Sequence, residues 1–223
     1  MDNTIFEKVD NYISNLVGQE DQVLKDTTAL IEAERISNAS ISPNQGKFLQ
    51  VLAIACNAKK ILELGTLGAY STVWLAKAIP DDGKVITIEF DARHAAIARK
   101  NIENAGLTDK IEIREGAALD ILPQLEKESI GPFDFIFIDA DKPPYVEYFQ
   151  WAIKLGRPRT IIVADNVIRN GKVLDSESSD EKVQGVQRLN SFLQSCNEVT
   201  ATILQTVGIK EFDGMVVAVI NQK

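Results

Sequence analysis

Four polar residues stand where two apolar runs stop. Asp139 follows the run 133–138, Lys142 comes three residues later, and Asp165 with Asn166 follows the run 160–164. If both runs are strands of an open α/β sheet, their ends face the crevice in which such sheets bind ligands. Two carboxylates and an amide oxygen at one spot make a hard, all-oxygen half-shell. It suits Mg2+ first, or Mn2+ or Ca2+, with water or substrate oxygens filling the remaining positions. Asp and Asn also cap helices and order loops, so a purely local role stays open at this point. Lys142 is open in the same way, between a base and a surface lysine paired with Asp141 or Glu147.

A second constellation lies upstream, where residues 61–71 read Ile-Leu-Glu-Leu-Gly-Thr-Leu-Gly-Ala-Tyr-Ser. Glycines at a strand-to-helix turn let a ligand approach the backbone closely. The next apolar run, 85–88, ends in Glu89, and a carboxylate there can accept hydrogen bonds from two ribose hydroxyls. The turn is not G-x-G-x-x-G. Leu67 stands where a dinucleotide fold needs its second glycine against pyrophosphate. Glu63, just before the turn, would repel a pyrophosphate and welcome an ammonium or a sulfonium. The pattern therefore favours S-adenosylmethionine over NAD.

The elements that must position these residues follow from periodicity. Ile5, Val9, Ile13, Leu16 and Val17 recur at helical spacing, as do Val23, Leu24, Ala29, Leu30 and Ile31. Ser42-Pro43 starts a further helix that runs to about residue 58. Residues 1–58 thus read as an N-terminal helical extension, packed on a core of residues 59–223 within one domain. In that core, strand-like runs at 61–64, 85–88, 111–113, 133–138 and 160–164 alternate with helical segments at 71–79, 92–105, 117–127 and 145–155. Short continuous apolar strands between amphipathic helices predict a parallel sheet covered on both faces. After a helix at about 181–196, the runs 199–207 and 215–220 are joined too tightly for a crossover and predict an antiparallel hairpin. The expected architecture is a Rossmann-like, doubly wound, mostly parallel seven-stranded α/β sheet. The acidic tract 175–181 reads as a mobile surface loop.

Composition removes other chemistries. The chain has 223 residues, 24 Lys plus Arg against 32 Asp plus Glu, and a net charge of −8, so it carries no overall basic footprint for nucleic acid. His94 is the sole histidine, and Cys56 and Cys196 are the only cysteines. These are one soft ligand short of a closed structural zinc site, and any Ser-His-Asp mechanism would have to run through His94. Two separated cysteines read as reduced thiols in a cytoplasmic protein. The charged start (Asp2, Glu7, Lys8, Asp10) does not read as a signal peptide, and no apolar run is long enough for a bilayer. His94 reads as helix surface or cofactor rim, Trp74 and Trp151 as core, Cys56 as a buried thiol, and 112–115 as a strand edge.

With these motifs in view, the chain resembles the class I S-adenosylmethionine-dependent O-methyltransferases. Within them it is similar to the metal-dependent caffeoyl-CoA and catechol O-methyltransferases and their small bacterial relatives. The likeness runs from Ser42-Pro43-Asn44-Gln45-Gly46-Lys47-Phe48-Leu49 to the terminal hairpin. It is carried by Glu63-Leu64-Gly65-Thr66 with Tyr70-Ser71, by Glu89, by 115–118, by 137–142 with Tyr145, and by Asp165-Asn166 with Asn170-Gly171. The resemblance implies that Glu63, Gly65, Thr66 and Ser71 hold the methionine moiety, with the backbone at Ile41 closing that end. It implies that Glu89 takes the ribose, that Ala118 lies beside the adenine, and that Asp139 and Asp141 also contact the cofactor. It further implies a divalent cation on Asp139, Asp165 and Asn166, Lys142 as general base, Asn170 at the substrate, a small phenolic acceptor and a homodimer. The chain departs from the family at Ala39, at Ala69 where glycine is usual, at 157–160, and at Arg169 where the plant enzymes have tryptophan. Two other functions stay in view. One is methylation of a hydroxylated uridine in tRNA, opposed by the net charge but kept open by Arg157, Arg159, Arg169 and Lys172. The other is a nicotinamide-dependent oxidoreductase, opposed by Leu67 and Glu63.

Overall fold

The apolar runs of the core pair into one sheet. The computed structural model describes residues 3–37 and 39–222. Its strands are β1 (Lys60–Leu64), β2 (Lys84–Glu89), β3 (Ile111–Glu115), β4 (Phe133–Ile138), β5 (Gly156–Asp165), β6 (Val199–Thr206) and β7 (Asp213–Ile220). Their order across the sheet is β3-β2-β1-β4-β5-β7-β6. The first five are parallel, and β7 runs antiparallel between β5 and β6. The chain winds outward from β1 to one side and from β4 to the other. The carboxyl ends of β1 and β4 therefore flank the point where the winding reverses, the place for a ligand in such sheets.

The α-helices of the described residues are α1 (Asn3–Leu16), α2 (Gln22–Ala33), α3 (Pro43–Ala55), α4 (Tyr70–Ala76), α5 (Ala92–Asn104), α6 (Ala118–Lys127), α7 (Tyr145–Leu155) and α8 (Glu181–Ser195), of which α2 to α8 cover the two faces. Strand side chains alternate between the faces. Leu62, Leu64, Ile136, Ile138 and Ile162 pack against Leu122 of α6, Phe149 of α7 and Leu189 of α8. Ile61, Val85, Phe135, Phe137 and Val163 pack against Leu24 of α2, Leu49 of α3, Trp74 of α4 and Ile102 of α5. The second helix layer thus draws on the N-terminal extension as well as on the core. The Ser42-Pro43 start of α3 forms as expected: Ser42 and Gln45 make a reciprocal capping box with proline in the first turn. Trp74 is core, and Gly46 lies so close to its ring that an added Cβ would sit 2.4 Å away.

Three details differ from the expectation. Strand β5 begins at Gly156 rather than at 160, because residues 157–159 form a bulge opposite Phe133. Thr160 closes that bulge, its hydroxyl donating to the Phe133 carbonyl at 2.6 Å and accepting from Arg157 N at 2.9 Å. Short 3-10 turns within Arg169–Leu174, broken by a kink at Asn170 and Gly171, follow β5 where no element was expected. The acidic tract ends usefully, since Asp180 caps α8 through Lys182 N. β3 is an edge strand, as its alternating charges indicated, with Arg114 paired to Glu112 and Glu128.

Asp134 is the polar exception in the apolar strand Phe133–Ile138, and its bonds explain it. One carboxylate oxygen accepts Lys59 N at 2.8 Å and Lys60 N at 2.9 Å, where β1 begins. The other accepts Arg157 Nε at 2.9 Å and Nη2 at 2.6 Å, where β5 begins. One side chain therefore ties the amino ends of three neighbouring strands. Burial alone would raise its pKa, but the Lys60 and Lys59 N–H groups and the Arg157 guanidinium outweigh that and lower it. Such a carboxylate contributes its full stability above the unfolded pKa of about 3.9 and loses it as pH falls through the lower folded value. Asp134→Asn is expected to cost about 2 kcal/mol at pH 7 in urea unfolding, the range for charged hydrogen bonds. The difference from the parent should shrink as both are unfolded at successively lower pH below about 4.

Candidate active site

A cavity of about 610 Å3 opens over the carboxyl ends of the parallel strands. Gly65 and Thr66 come to it from the turn between β1 and α4, Ser71 from the first turn of α4, Glu89 from β2, Ala118 from the start of α6, and Asp139, Asp141 and Lys142 from the segment that follows β4. Asn166 lines it from the end of β5, and Ile41 from the segment before α3. Ten of the residues singled out from the sequence thus share one cavity. The volume lies within the usual range for small-molecule sites, about 300–1,000 Å3.

Gly65 is required by close packing. Its amide donates to Ile88 O at 3.0 Å, while Asp139 N donates to Leu64 O at 2.8 Å, so the turn is laced to both neighbouring strands. Its φ is +96°, and an added Cβ would sit 2.1 Å from the Asp139 carbonyl oxygen. The turn continues through Leu67 and Ala69 at φ 49° and 70°, left-handed conformations that cost a non-glycine residue about 1–2 kcal/mol. The turn forms without the family's usual glycine at 69. Glu89 holds its first half: its carboxylate accepts Thr66 N at 3.1 Å and Leu67 N at 2.7 Å through one oxygen, and Asp91 N at 2.9 Å through the other.

Glu63 stands beneath the cavity rather than in its lining. It is fully buried and accepts three hydroxyls, Ser71 at 2.6 Å, Thr72 at 2.5 Å and Thr87 at 2.7 Å. Burial pushes its carboxyl up to about 7 against the pull of those hydroxyls, and the charge of Asp139 adds to the rise. Its route to the cavity is through Ser71, which does line it.

At the other wall, the donors for a cation and the candidate base are neighbours because β4 and β5 pair in register, Ile138 beside Ala164. Lys142 is buried, and its ammonium reaches Asp139 Oδ1 at 3.0 Å and the Tyr145 hydroxyl at 2.5 Å. Asp165 is buried just behind Asn166 and accepts Asn166 N at 2.8 Å. Burial, and then the charge of Asp139, raise the Asp165 carboxyl well above the usual range, while Lys142 pulls the other way. Two carboxylates that repel one another out of water are the setting a divalent cation relieves. Among the described residues no three His, Cys, Asp or Glu side chains cluster for a metal, so the amide oxygen of Asn166 and oxygens from outside the chain must complete any shell. On that donor chemistry the residues fit a hard cation.

Other positions are corrected or added. Asn170 is outside this cavity, its amide donating to Glu211 at 2.8 Å. Arg157 and Arg159 lie at the amino end of β5, opposite the cavity, so they make no basic rim beside it; Arg157 is held by Asp134. Cys56 is half-buried rather than buried. His94 does sit at the rim, its Nδ1 3.7 Å from Glu89 Oε1. The sequence reading missed Phe90, which lines the cavity while 78% exposed, and Tyr148, whose hydroxyl donates to Asp141 Oδ1 at 2.6 Å. Phe90 was signalled by its place directly after Glu89 at a strand's ligand end.

The close approach at Gly65 gives a direct test. Gly65→Ala should destabilise the chain by more than about 2 kcal/mol, since it adds both a left-handed penalty and a clash with backbone that cannot retreat. Gly106→Ala, also at positive φ but with nothing within 4 Å, should cost only the backbone penalty. Equal melting temperatures for the two variants would refute the packing argument.

Residues 14–219 match the family described as O-methyltransferase. A catechol O-methyltransferase of Niastella koreensis is 59% identical over 221 residues, covering 99% of this chain and 100% of that one. Among solved structures, the O-methyltransferase from Bacillus cereus in complex with SAH superposes with a TM-score of 0.95 at 46% identity, covering 98% of this chain and 100% of that one. TomG from Streptomyces achromogenes, an O-methyltransferase solved in complex with SAM, gives a TM-score of 0.95 at 41% identity over 100% of both chains. Matched in sequence and in backbone over nearly its whole length, the chain belongs to the O-methyltransferase family.

Proposed function

We propose that this enzyme moves the methyl group of S-adenosylmethionine to one hydroxyl of a small catechol-like acceptor, with a divalent cation, Mg2+ before Mn2+ or Ca2+, held by Asp139, Asp165 and Asn166. The observation that carries the reading is that Asp139, Lys142 and Asn166 line the same cavity as Gly65, Ser71 and Glu89. The names of the relatives, a catechol O-methyltransferase and two O-methyltransferases with SAH or SAM bound, support it.

In this reading Glu89 receives the ribose, Ala118 and Phe90 flank the adenine, and Gly65, Thr66 and Ser71 receive the methionine end, closed by Ile41. Asp141 adds a carboxylate to the same wall, and Glu63 acts from below by fixing Ser71. When bound, the sulfonium supplies an electrophilic methyl, and the cation lowers the acceptor's pKa from the phenol value of about 10. With Lys142 as the neutral amine, its own proton already released to water, Nζ takes the acceptor's proton: the acceptor O–H bond breaks and an N–H bond forms. The freed oxygen forms its bond to the methyl carbon as the sulfur–carbon bond breaks, leaving a neutral thioether. Asp139 Oδ1 holds the protonated Nζ.

No helix among the described residues is long and apolar enough to cross a membrane. Exposed apolar side chains gather on α1, at Ile5, Val9, Tyr12 and Leu16, and on the β6–β7 hairpin, at Leu204, Val207 and Ile209. They support a homodimer, with a doubled mass in light scattering as the expected result and a concentration-independent monomer mass as the contrary one.

With labelled S-adenosylmethionine and a panel of catechols, hydroxycinnamoyl thioesters and hydroxylated tRNA, turnover is expected on the catechols. Excess EDTA should abolish it while leaving calorimetric binding of the methyl donor intact. Asp165→Ala should behave the same way, because Asp165 stands on the side away from the glycine turn. Full turnover in EDTA, with Asp165→Ala as active as the parent, would remove the cation from the mechanism.

A further inference from the structure

We propose that the hydroxyl of Tyr145 is the positioning group for Lys142, a role that rests on reading Lys142 as the base. Tyr145 opens α7 and is fully buried. Its oxygen is 2.5 Å from Lys142 Nζ, 3.0 Å from the Asp165 carbonyl and 3.3 Å from the Ile138 carbonyl. A phenol has one proton to donate and lone pairs to accept with. Carbonyl oxygens only accept, so the proton is committed to the ends of β5 and β4, the better contact being Asp165. The Tyr145 oxygen must then accept from Lys142.

The consequence is directional. The Lys142 nitrogen is tetrahedral, with three positions beyond its side-chain bond. One N–H is taken by Tyr145, and a second by Asp139 Oδ1 at 3.0 Å. Lys142 also lines the cavity, which leaves the third position for that side. In the amine state both N–H groups remain committed, and the lone pair occupies the third position, aimed at an acceptor O–H. After transfer that position holds the new N–H. The Tyr145 ring, with its centroid 4.6 Å from Nζ, further favours the ammonium formed. The lysine backbone is fixed as well: an added Cβ on Gly185 of α8 would lie 2.1 Å from the Lys142 carbonyl oxygen. The same hydroxyl bridges the two strand ends that carry Asp139 and Asp165. It therefore couples the aim of the base to the spacing of the cation donors.

The test is a double-mutant cycle with Mg2+, S-adenosylmethionine and catechol. Tyr145→Phe keeps the ring and removes the clasp. It should lower kcat about tenfold, a part of the 10²–10⁴ that general-base assistance supplies, with KM for both substrates within about twofold of the parent. In a Lys142→Met background the same change should cost nothing more. Donor binding by calorimetry checks that each variant is folded. If Tyr145→Phe does not fold, 3-fluorotyrosine at 145 keeps the hydroxyl as a weaker acceptor and should give a smaller loss, again only when Lys142 is present. An undiminished kcat overturns the proposal. So does an equal loss in the Lys142→Met background, which would make Tyr145 a structural clasp alone. Full turnover in Lys142→Met itself overturns the proposal together with the base reading, and is told apart from the other failures by that single variant.

Discussion

The site depends on one close backbone contact, the approach of the β1 turn to the end of β4. Leu64 O accepts Asp139 N at 2.8 Å, and the next residue, Gly65, faces the Asp139 carbonyl with no room for a side chain. Everything on the glycine side of the cavity is placed relative to β1, and everything on the acidic side relative to β4. The two halves, which wind in opposite directions, meet along the β1–β4 pair, and this contact closes it at the cavity end. A methyl transfer needs donor carbon and acceptor oxygen within about 3–3.5 Å and in line. A scaffold that fixes the two walls through one short hydrogen bond and one missing Cβ meets that demand with backbone rather than with mobile side chains.

Buried polarity in this protein is arranged in pairs of opposite logic at the two ends of the sheet. At the amino end Asp134 is satisfied by two backbone N–H groups and a guanidinium, and its pKa falls. At the carboxyl end Glu63 has hydroxyls and no cation, and Asp165 has a carboxylate neighbour, so burial dominates and both rise. The first arrangement stabilises the fold with nothing bound. The second leaves unrelieved carboxylate charge beside the cavity, which the proposed cation would relieve. Perturbed carboxylates in a cleft are a functional signature, whereas a depressed one tied to strand backbone is structural. The two ends of one sheet display the difference side by side.

The parallel strands, the hairpin and the start of α3 were legible because each is written locally, in apolar runs, in the short connection after β6 and in Ser42-Pro43 with Gln45. That Asp139, Lys142 and Asn166 share one cavity was legible because strand ends converge in any open parallel sheet. Other features depended on non-local facts. That Glu63 lies below Ser71 rather than in the cavity follows from α4 packing over β1, which no spacing reveals. Arg157 and Arg159 were read beside the site because they are close in sequence to Asp165. The bulge opens β5 earlier, and ten residues of strand put them at the opposite end of the sheet. Tyr148 was hidden because its apolar spacing on α7 looks like core, and only its hydroxyl reaches Asp141.

In the proposed function Glu89 carries two tasks, holding the turn and receiving the ribose, and they constrain each other. Its carboxylate offers about four acceptor directions, of which backbone N–H groups of Thr66, Leu67 and Asp91 take three. Two of those bonds hold the turn whose left-handed Leu67 and Ala69 are strained. A ribose with two hydroxyls must therefore share Oε1, where Asp91 N is the sole backbone donor and His94 stands 3.7 Å away. Ligand and turn draw on the same negative charge, and both use it more strongly with the carboxylate ionised. An acid at this strand end is thus as much a part of the turn as the glycine is. Its removal would loosen the turn at Thr66 and Leu67 along with the proposed ribose site.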